Sequence, residues 1–360
     1  MKVIQIMPTL ALGDAVSNDA LALEKAIINM GYKTEIYAEN IDPRLPKGTA
    51  KYERNLYKVN EDDVVLYHLS TGTFLNKKIA LLKCRKIVIY HNITPGNFFE
   101  EYSKESELKC LAGREEAASL CKQVDYCLAD SEYNKQELIQ MGCTCPIDVL
   151  PILIPFDDYR KEPDIKILDK YKDDGYTNIL FTGRLAPNKK QEDVIRAFYF
   201  YKKFYNPKSR LILIGSDAGM SRYSYRLKSF IAKLELEDVI IPGHISFAEI
   251  LAYYHTADLF LCQSEHEGFC VPLVEAMFFD IPVVAYHSTA IPYTMGDSGI
   301  VLDRKDAVET AAVMNRVLTD EELHAQIVEG QRKRLADFDN KKISEQFEQY
   351  MRKFLRKEGM

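Results

Sequence analysis

Two glutamates, Glu267 and Glu275, flank a helix start, with seven residues between them. Pro272 suits the first turn of a helix, because its missing N–H costs nothing there and its φ is already helical. The sequence therefore predicts a helix opening at Val271 or Pro272. Glu267 then falls in the preceding loop and Glu275 about one turn inside the helix, so both carboxylates can face one helix mouth. Between them the backbone N–H groups of Leu273 and Val274 would point outward as an anion site. Carboxylates beside an anion site suit a ligand that carries phosphate and hydroxyls together, as a nucleotide sugar does. The plainer reading of the pair is that both glutamates favour a helix N-terminus through the macrodipole.

A second constellation runs from Phe181 to Lys190, where Gly183, Arg184 and Lys189 leave a strand before a helix near Gln191. A diphosphate leaving group needs positive charge as its bond breaks, and fixed cations supply it best where water is excluded. Arg184 can grip two oxygens at once while Lys189 acts as a point charge. His91 directly follows an apolar run, 87–90, and precedes Asn-Ile-Thr-Pro. A histidine in that place reads either as a satisfied structural residue or as a group at the ligand end of a strand. Asp337 and Asp339 form the one Asp-x-Asp, with no strand before it, and read as a solvated helix start.

The elements that must position these residues alternate. Strands are expected at 3–7, 33–38, 64–67, 87–90, 126–129 and 147–150, with helices at 20–30, 76–83, 105–122 and 132–141, and a loop over 8–17. The alternation restarts with strands at 179–182, 210–214, 239–241, 257–262, 281–285 and 299–302 and helices at 191–205, 223–236 and 246–255. Strand and helix in alternation imply parallel pairing with right-handed crossovers, hence two doubly wound α/β units. The boundaries read as 1–155 for the first domain and 175–340 for the second, with a proline-marked linker near 155–175. Apolar residues at Ile343, Phe347, Tyr350, Met351, Phe354 and Leu355 are spaced for one face of a last helix, about 343–357, assigned to the first domain. In such sheets ligands settle beyond the carboxyl ends of the strands. His91, Gly183 with Arg184, and Glu267 all sit there.

At 360 residues the chain exceeds the size at which one core keeps growing. A net charge of −6 leaves no electrostatic footprint for nucleic acid. The eight cysteines are scattered; only Cys143 and Cys145 are close-set and no second pair completes a zinc pattern, so they read as reduced buried thiols of a cytoplasmic protein. No apolar signal core and no run of membrane-span length is present.

The string Glu267-Gly268-Phe269, then Val271-Pro272-Leu273-Val274-Glu275, resembles the signature of retaining nucleotide-sugar glycosyltransferases of family 4, the glycosyl transferases group 1 type. The resemblance is specific over 178–302 and looser over 1–150. It implies a GT-B fold, two Rossmann-like domains facing across a cleft with the C-terminal helix crossing back to the first. It further implies that Glu267 contacts sugar hydroxyls, Glu275 the nucleotide ribose, Arg184 and Lys189 the diphosphate, and that His91 lies near the reacting sugar carbon. Gly183, Gly268, Phe269, Cys270, Val271 and Leu273 would line the donor, and Gly243, His244 and Ile245 would hold the base. Gly13 would approach the donor phosphate and Asp14 an acceptor hydroxyl, although this loop has one glycine where the family usually has more. The competing reading of that loop is a helix-start turn capped by Ser17 or Asn18.

The implied activity is a hexosyltransferase-type transfer from a nucleotide diphosphate-sugar to a hydroxyl with retained anomeric configuration, without a catalytic metal or other cofactor. Partners are then the donor and a saccharide, small-molecule or lipid-linked acceptor, as in bacterial surface-polysaccharide synthesis. No basic amphipathic stretch marks a membrane-docking face, which leaves contact with the inner membrane face open. Two alternatives share the motifs: a nucleotide-sugar 2-epimerase of the same fold, and a catalytically silent nucleotide-sugar-binding subunit.

Overall fold

The computed structural model describes residues 1–56 and 58–356. They divide into two units, the first made of Met1–Asn97, Glu105–Pro155 and the chain from Phe338 onward, the second of Phe98–Lys104 and Phe156–Asp337.

The first unit holds a seven-stranded, wholly parallel sheet of β1 (Lys2–Leu10), β2 (Lys33–Ile41), β3 (Lys51–Tyr52), β4 (Val64–Leu69), β5 (Arg85–Tyr90), β6 (Tyr126–Ala129) and β7 (Ile147–Val149), in the order β3-β2-β1-β4-β5-β6-β7. Its crossover helices include α1 (Ala15–Asn29), α2 (Phe74–Ala80), α3 (Lys104–Leu120) and α4 (Glu132–Gln140). Val64 to Leu69 are buried throughout, because helices cover both faces of such a sheet. Two expectations need correction here. Pro8 to Leu10 belong to β1 rather than to a loop, and α1 is capped by Asp14, not by Ser17 or Asn18. The longer strand brings the helix start forward, and Asp14 Oδ2 then accepts the Ser17 N–H at 2.9 Å.

The second unit holds a six-stranded parallel sheet of β8 (Thr177–Thr182), β9 (Ser209–Ile214), β10 (Val239–Gly243), β11 (Leu259–Cys262), β12 (Val283–Tyr286) and β13 (Ile300–Leu302), in the order β10-β9-β8-β11-β12-β13. Its helices are α5 (Ile165–Tyr171), α6 (Gln191–Phe204), α7 (Ser221–Lys233), α8 (Phe247–Thr256), α9 (Val271–Phe278), α10 (Ile291–Met295), α11 (Ala307–Thr319) and α12 (Glu321–Leu335). The stretch read as a linker near 155–175 contains α5, capped by Asp164, whose backbone N–H donates to Ala248 O at 2.9 Å. The prolines of this segment leave the helix intact, since Pro155 and Pro163 both precede the cap and the helix interior is clear of them. α11 and α12 occupy a region where the sequence reading placed no element.

The last helix, α13 (Asn340–Arg356), buries Ile343, Phe347, Met351 and Phe354 against Val3, Leu23, Ile87 and Leu128 of the first unit. Each such apolar side chain contributes about 1.5–3 kcal/mol relative to exposure. Arg85 stacks on the Phe354 ring at 4.0 Å and donates to its carbonyl. Lys357, included in the expected helix, lies outside the described residues.

Candidate active site

The second sheet reverses its winding between β8 and β11, neighbours in space although β9 and β10 come between them in sequence. A crevice opens beyond such a switch point because the connections there run to opposite sides. The loops leaving these two strands carry most of the expected donor residues, Gly183, Arg184 and Lys189 after β8 and Glu267 to Cys270 after β11.

The two loops are stitched together. The Glu265 N–H donates to Asn188 O at 2.8 Å, and Asn188 Nδ2 donates to His266 O at 3.0 Å. This brings Lys189 Nζ to 2.5 Å from Glu267 Oε2, with the lysine side chain 23% and the glutamate 7% exposed. Burial alone would depress the Lys189 pKa, but the Glu267 charge and hydrogen bond together with the nearby Cys270 and Cys262 outweigh it and the pKa is raised. The Glu267 N–H is in turn anchored by Thr289 Oγ1 at 2.8 Å. Behind the pair, Lys305 bridges Glu265 and Asp193 at 2.9 and 2.8 Å.

Arg184 is exposed and donates through Nη2 to Ala218 O at 3.2 Å. Its loop is fixed by a close backbone approach: a Cβ on Gly215 would lie 1.9 Å from Gly183 O, so only glycine fits. A Gly215→Ala variant is therefore expected to lose roughly 1–3 kcal/mol of stability as the Arg184 loop is pushed outward. Urea titration reads this as a lower midpoint, and an unchanged midpoint would show that the loops have room to part.

Glu275 is placed differently from the expectation. Its Oε1 accepts from Tyr159 OH at 2.7 Å and its Oε2 from Tyr254 OH at 2.5 Å, while Tyr254 OH also meets Thr182 Oγ1 at 2.6 Å. Burial raises the Glu275 pKa and the two phenols oppose that rise. Thus Glu267 is held by Lys189 and Glu275 by a tyrosine pair, rather than both standing open at one helix mouth. The Leu273 N–H is also taken, donating to Cys270 O at 3.0 Å, because the first turn of α9 closes on its cap residue. Cys270 has φ +71, an uncommon conformation for a residue with a side chain. Its Sγ, the Cys262 Sγ and a Glu267 oxygen all lie within 4.8 Å of one another. Gly268 and Val271 are half-buried, and the buried Phe269 accepts a hydrogen bond from Thr294 Oγ1 through its carbonyl. Gly243 has φ +78 at an irregularity in the β10 register, followed by the exposed His244 and half-buried Ile245.

In the first unit the sheet reverses between β1 and β4. Gly13, with φ +76, and Asp14 follow β1, and Asp14 Oδ2 is also held by Ser17 Oγ at 2.8 Å. His91 belongs to a buried chain of polar groups that steps across adjacent strands. Gln5 Oε1 lies 2.9 Å from His68 Nε2, His68 Nδ1 lies 2.9 Å from His91 Nε2, and His91 Nδ1 lies 2.9 Å from Asp130 Oδ2. Gln5 Nε2 donates to Ala20 O, which leaves its Oε1 facing His68 as an acceptor. His68 must then carry its proton on Nε2 and accept at Nδ1, so His91 donates from both nitrogens as an imidazolium beside the Asp130 carboxylate. The shifts agree with that assignment. Burial pushes the His68 pKa well down, while for His91 burial is outweighed by Asp130, Asp19 and Asp14 and the pKa is raised. With its side chain 1% exposed and both nitrogens engaged, His91 has no ring nitrogen left for a ligand.

Gln5 and His68 carried a legible signal that the sequence reading passed over. A polar residue inside a strand buried on both faces must be paired. Tyr159 and Tyr254 carried none, since nothing in their spacing relates them to Glu275.

Residues 163–334 match the family described as Glycosyl transferases group 1. The match covers most of the second unit. The capsular polysaccharide biosynthesis glycosyltransferase CapM of Staphylococcus aureus is 25% identical over 56% of this chain and 53% of its own length. The O-antigen chain mannosyltransferase B of Escherichia coli is 24% identical over 66% of this chain and 62% of its own length. The chain thus spans between half and two thirds of these relatives. Anabaena HepE in complex with UDP-glucose superposes with a TM-score of 0.79 at 18% identity, covering 98% of this chain and 100% of that one. The fold is GT-B. No described helix is long and apolar enough to cross a membrane.

Proposed function

We propose that this protein transfers a sugar from a nucleoside diphosphate-sugar to a hydroxyl acceptor, with retention, in the assembly of a bacterial surface polysaccharide. The observation that carries the reading is the Lys189–Glu267 pair at 2.5 Å beside the Arg184 loop, at the switch point of a group 1 unit. Relatives whose names refer to capsule and O-antigen synthesis support the pathway, and the UDP-glucose bound by HepE supports the class of donor.

In this reading Arg184 and Lys189 face the diphosphate oxygens and Glu267 the sugar hydroxyls. Gly183, Gly268, Phe269, Cys270, Val271 and Leu273 line the donor, and Gly243, His244 and Ile245 receive the base. Glu275, braced by Tyr159 and Tyr254, receives the ribose. In the first unit Gly13 and Asp14 form the acceptor-side loop, and His91 acts as a positioning residue through His68 and Asp130. The bond between the anomeric carbon and the diphosphate oxygen breaks, the acceptor oxygen bonds to the same face, and its proton passes to the leaving phosphate. The chain's own cations meet the charge that develops, so transfer is expected to proceed without added magnesium.

The test is a panel of UDP- and GDP-sugars in a thermal-shift assay, followed by incubation of each binder with and without saccharide acceptors. A ligand that binds only the folded state raises apparent stability with its concentration over Kd. Transfer to an acceptor, with the product's anomeric configuration matching the donor's by NMR, supports the proposal. Conversion of the donor alone would favour an epimerase, and binding without turnover a silent subunit.

A further inference from the structure

Three cysteines from two stretches of the chain meet in the first unit. Cys127 lies in β6, and Cys143 and Cys145 lie on the connection from α4 into β7. Their sulfurs form a triangle with sides of 3.7 Å (Cys127 to Cys143), 3.4 Å (Cys143 to Cys145) and 3.6 Å (Cys145 to Cys127). A disulfide needs about 2.0 Å between sulfurs, so these are not bonded pairs. A tetrahedral ion with metal–sulfur bonds of about 2.3 Å sets its ligand sulfurs about 3.8 Å apart, close to the triangle seen. Cysteines that are scattered in the sequence are grouped here because parallel pairing of β6 with β7 brings Cys127 to the close-set pair. The Cys127 N–H donates to Pro146 O at 3.0 Å, and Cys127 stands opposite Ile147 in the register.

A fourth thiol is at hand. Cys121 directly follows α3, and its carbonyl lies 3.4 Å from Cys143 Sγ, while its own sulfur turns to Ala118 O at 3.5 Å. A rotation about χ1 is the movement available to bring that sulfur in. Cys143 and Cys145 are half-buried with the exposed Thr144 between them, which gives an ion a way in from solvent.

We propose that Cys127, Cys143 and Cys145, completed by Cys121, bind a thiophilic divalent cation, zinc foremost, as a structural centre. Four metal–sulfur bonds form and the four thiol protons pass to solvent, with no change in oxidation state. Soft thiolates in a tetrahedral set select zinc over magnesium or calcium. The ion would pin the end of α3, β6 and the edge strand β7 together, remote in sequence from Arg184, Lys189 and Glu267.

The full-length protein, expressed with zinc in the medium and purified under a non-thiol reductant, is analysed for bound metal. About one zinc per chain is expected, released on mercurial titration of the thiols. The single variants Cys127→Ser, Cys143→Ser and Cys145→Ser should lose most of it, and Cys84→Ser, in the same core but outside the triangle, should keep it. Cobalt loaded in place of zinc should give the intense visible bands of a tetrahedral thiolate site, weakened in Cys121→Ser. Cys143 and Cys145 are only half-buried, so their variants should fold even where Cys127→Ser does not. Metal-free protein that takes up neither ion while all eight cysteines titrate as free thiols overturns the proposal. So does zinc that survives both Cys143→Ser and Cys145→Ser, and unchanged cobalt bands in Cys121→Ser remove that residue from the site.

Discussion

Arg184→Ala is expected to slow sugar transfer by roughly a hundred- to a thousandfold in kcat, the size of effect seen when one fixed electrostatic stabiliser of a developing charge is removed. Its side chain is exposed and donates one hydrogen bond among the described residues, to Ala218 O. Stability should therefore stay within about 0.5 kcal/mol of the parent. Glu267→Ala should abolish transfer, and it differs in the second readout as well. It strips the partner from an ammonium only 23% exposed, so the fold should lose about 2–3 kcal/mol after allowance for that exposure. Glu267→Gln keeps a hydrogen-bond acceptor for Lys189 and separates the two effects. Initial rates with a saturating donor, set beside urea midpoints for the three variants, decide the matter. Near-normal turnover in Arg184→Ala would falsify the role given to that loop.

The second large effect concerns pH. Asp19 is buried beside His91 and Asp130, with Oδ1 accepting the Leu153 N–H at 2.9 Å. Burial above all raises its pKa from 3.8 to about 7, with Asp130 adding to the rise and His91 and the Leu153 N–H opposing it. The folded chain keeps a proton that the unfolded chain gives up near 3.8, so stability falls as pH rises through that window. At about 1.4 kcal/mol per pH unit, the loss reaches about 4 kcal/mol by about pH 8. His91 works in the same sense. Its raised pKa lends stability that is full below the ordinary histidine value and is lost as pH climbs through the folded one. Asp130, also raised, chiefly by burial, keeps Oδ1 buried without a hydrogen-bond partner and adds to the slope. The protein should thus be more stable near pH 6 than near pH 8, and Asp19→Asn, which retains the acceptor for Leu153, should flatten the curve and be the more stable variant near pH 8. Parallel curves for parent and variant would show that Asp19 does not hold the proton.

How far the sequence could be read follows from what each feature depends on. Element type was legible wherever apolar runs alternate with helical periodicity, and the start of α9 followed from Pro272 alone. Both depend on local chemistry. The helix α5 was not, because the prolines before it look like a linker until the Asp164 cap and its bond to Ala248 are known. At the site, the strand-end rule set Gly183, Arg184 and Glu267 beyond the carboxyl ends of their strands, but it did not give the contact between Lys189 and Glu267. The capture of Glu275 by Tyr159 and Tyr254 was not, since a carboxylate's partner on distant elements leaves no trace in spacing. The thiol triangle shows the same limit. Cys143 and Cys145 were visible as neighbours, and only strand register delivers Cys127.

The Lys189–Glu267 contact has a bearing on discrimination. An anion arriving at this lysine finds the cation already neutralised and has to displace a carboxylate to reach it. Orthophosphate offers nothing to the displaced glutamate, and two negative groups would then compete for one ammonium. A donor that brings hydroxyls along with its phosphates gives the released carboxylate hydrogen bonds in exchange. Cellular phosphate should therefore be a poor competitor at this position, and bare nucleoside diphosphate should be held less firmly than its glycosylated form.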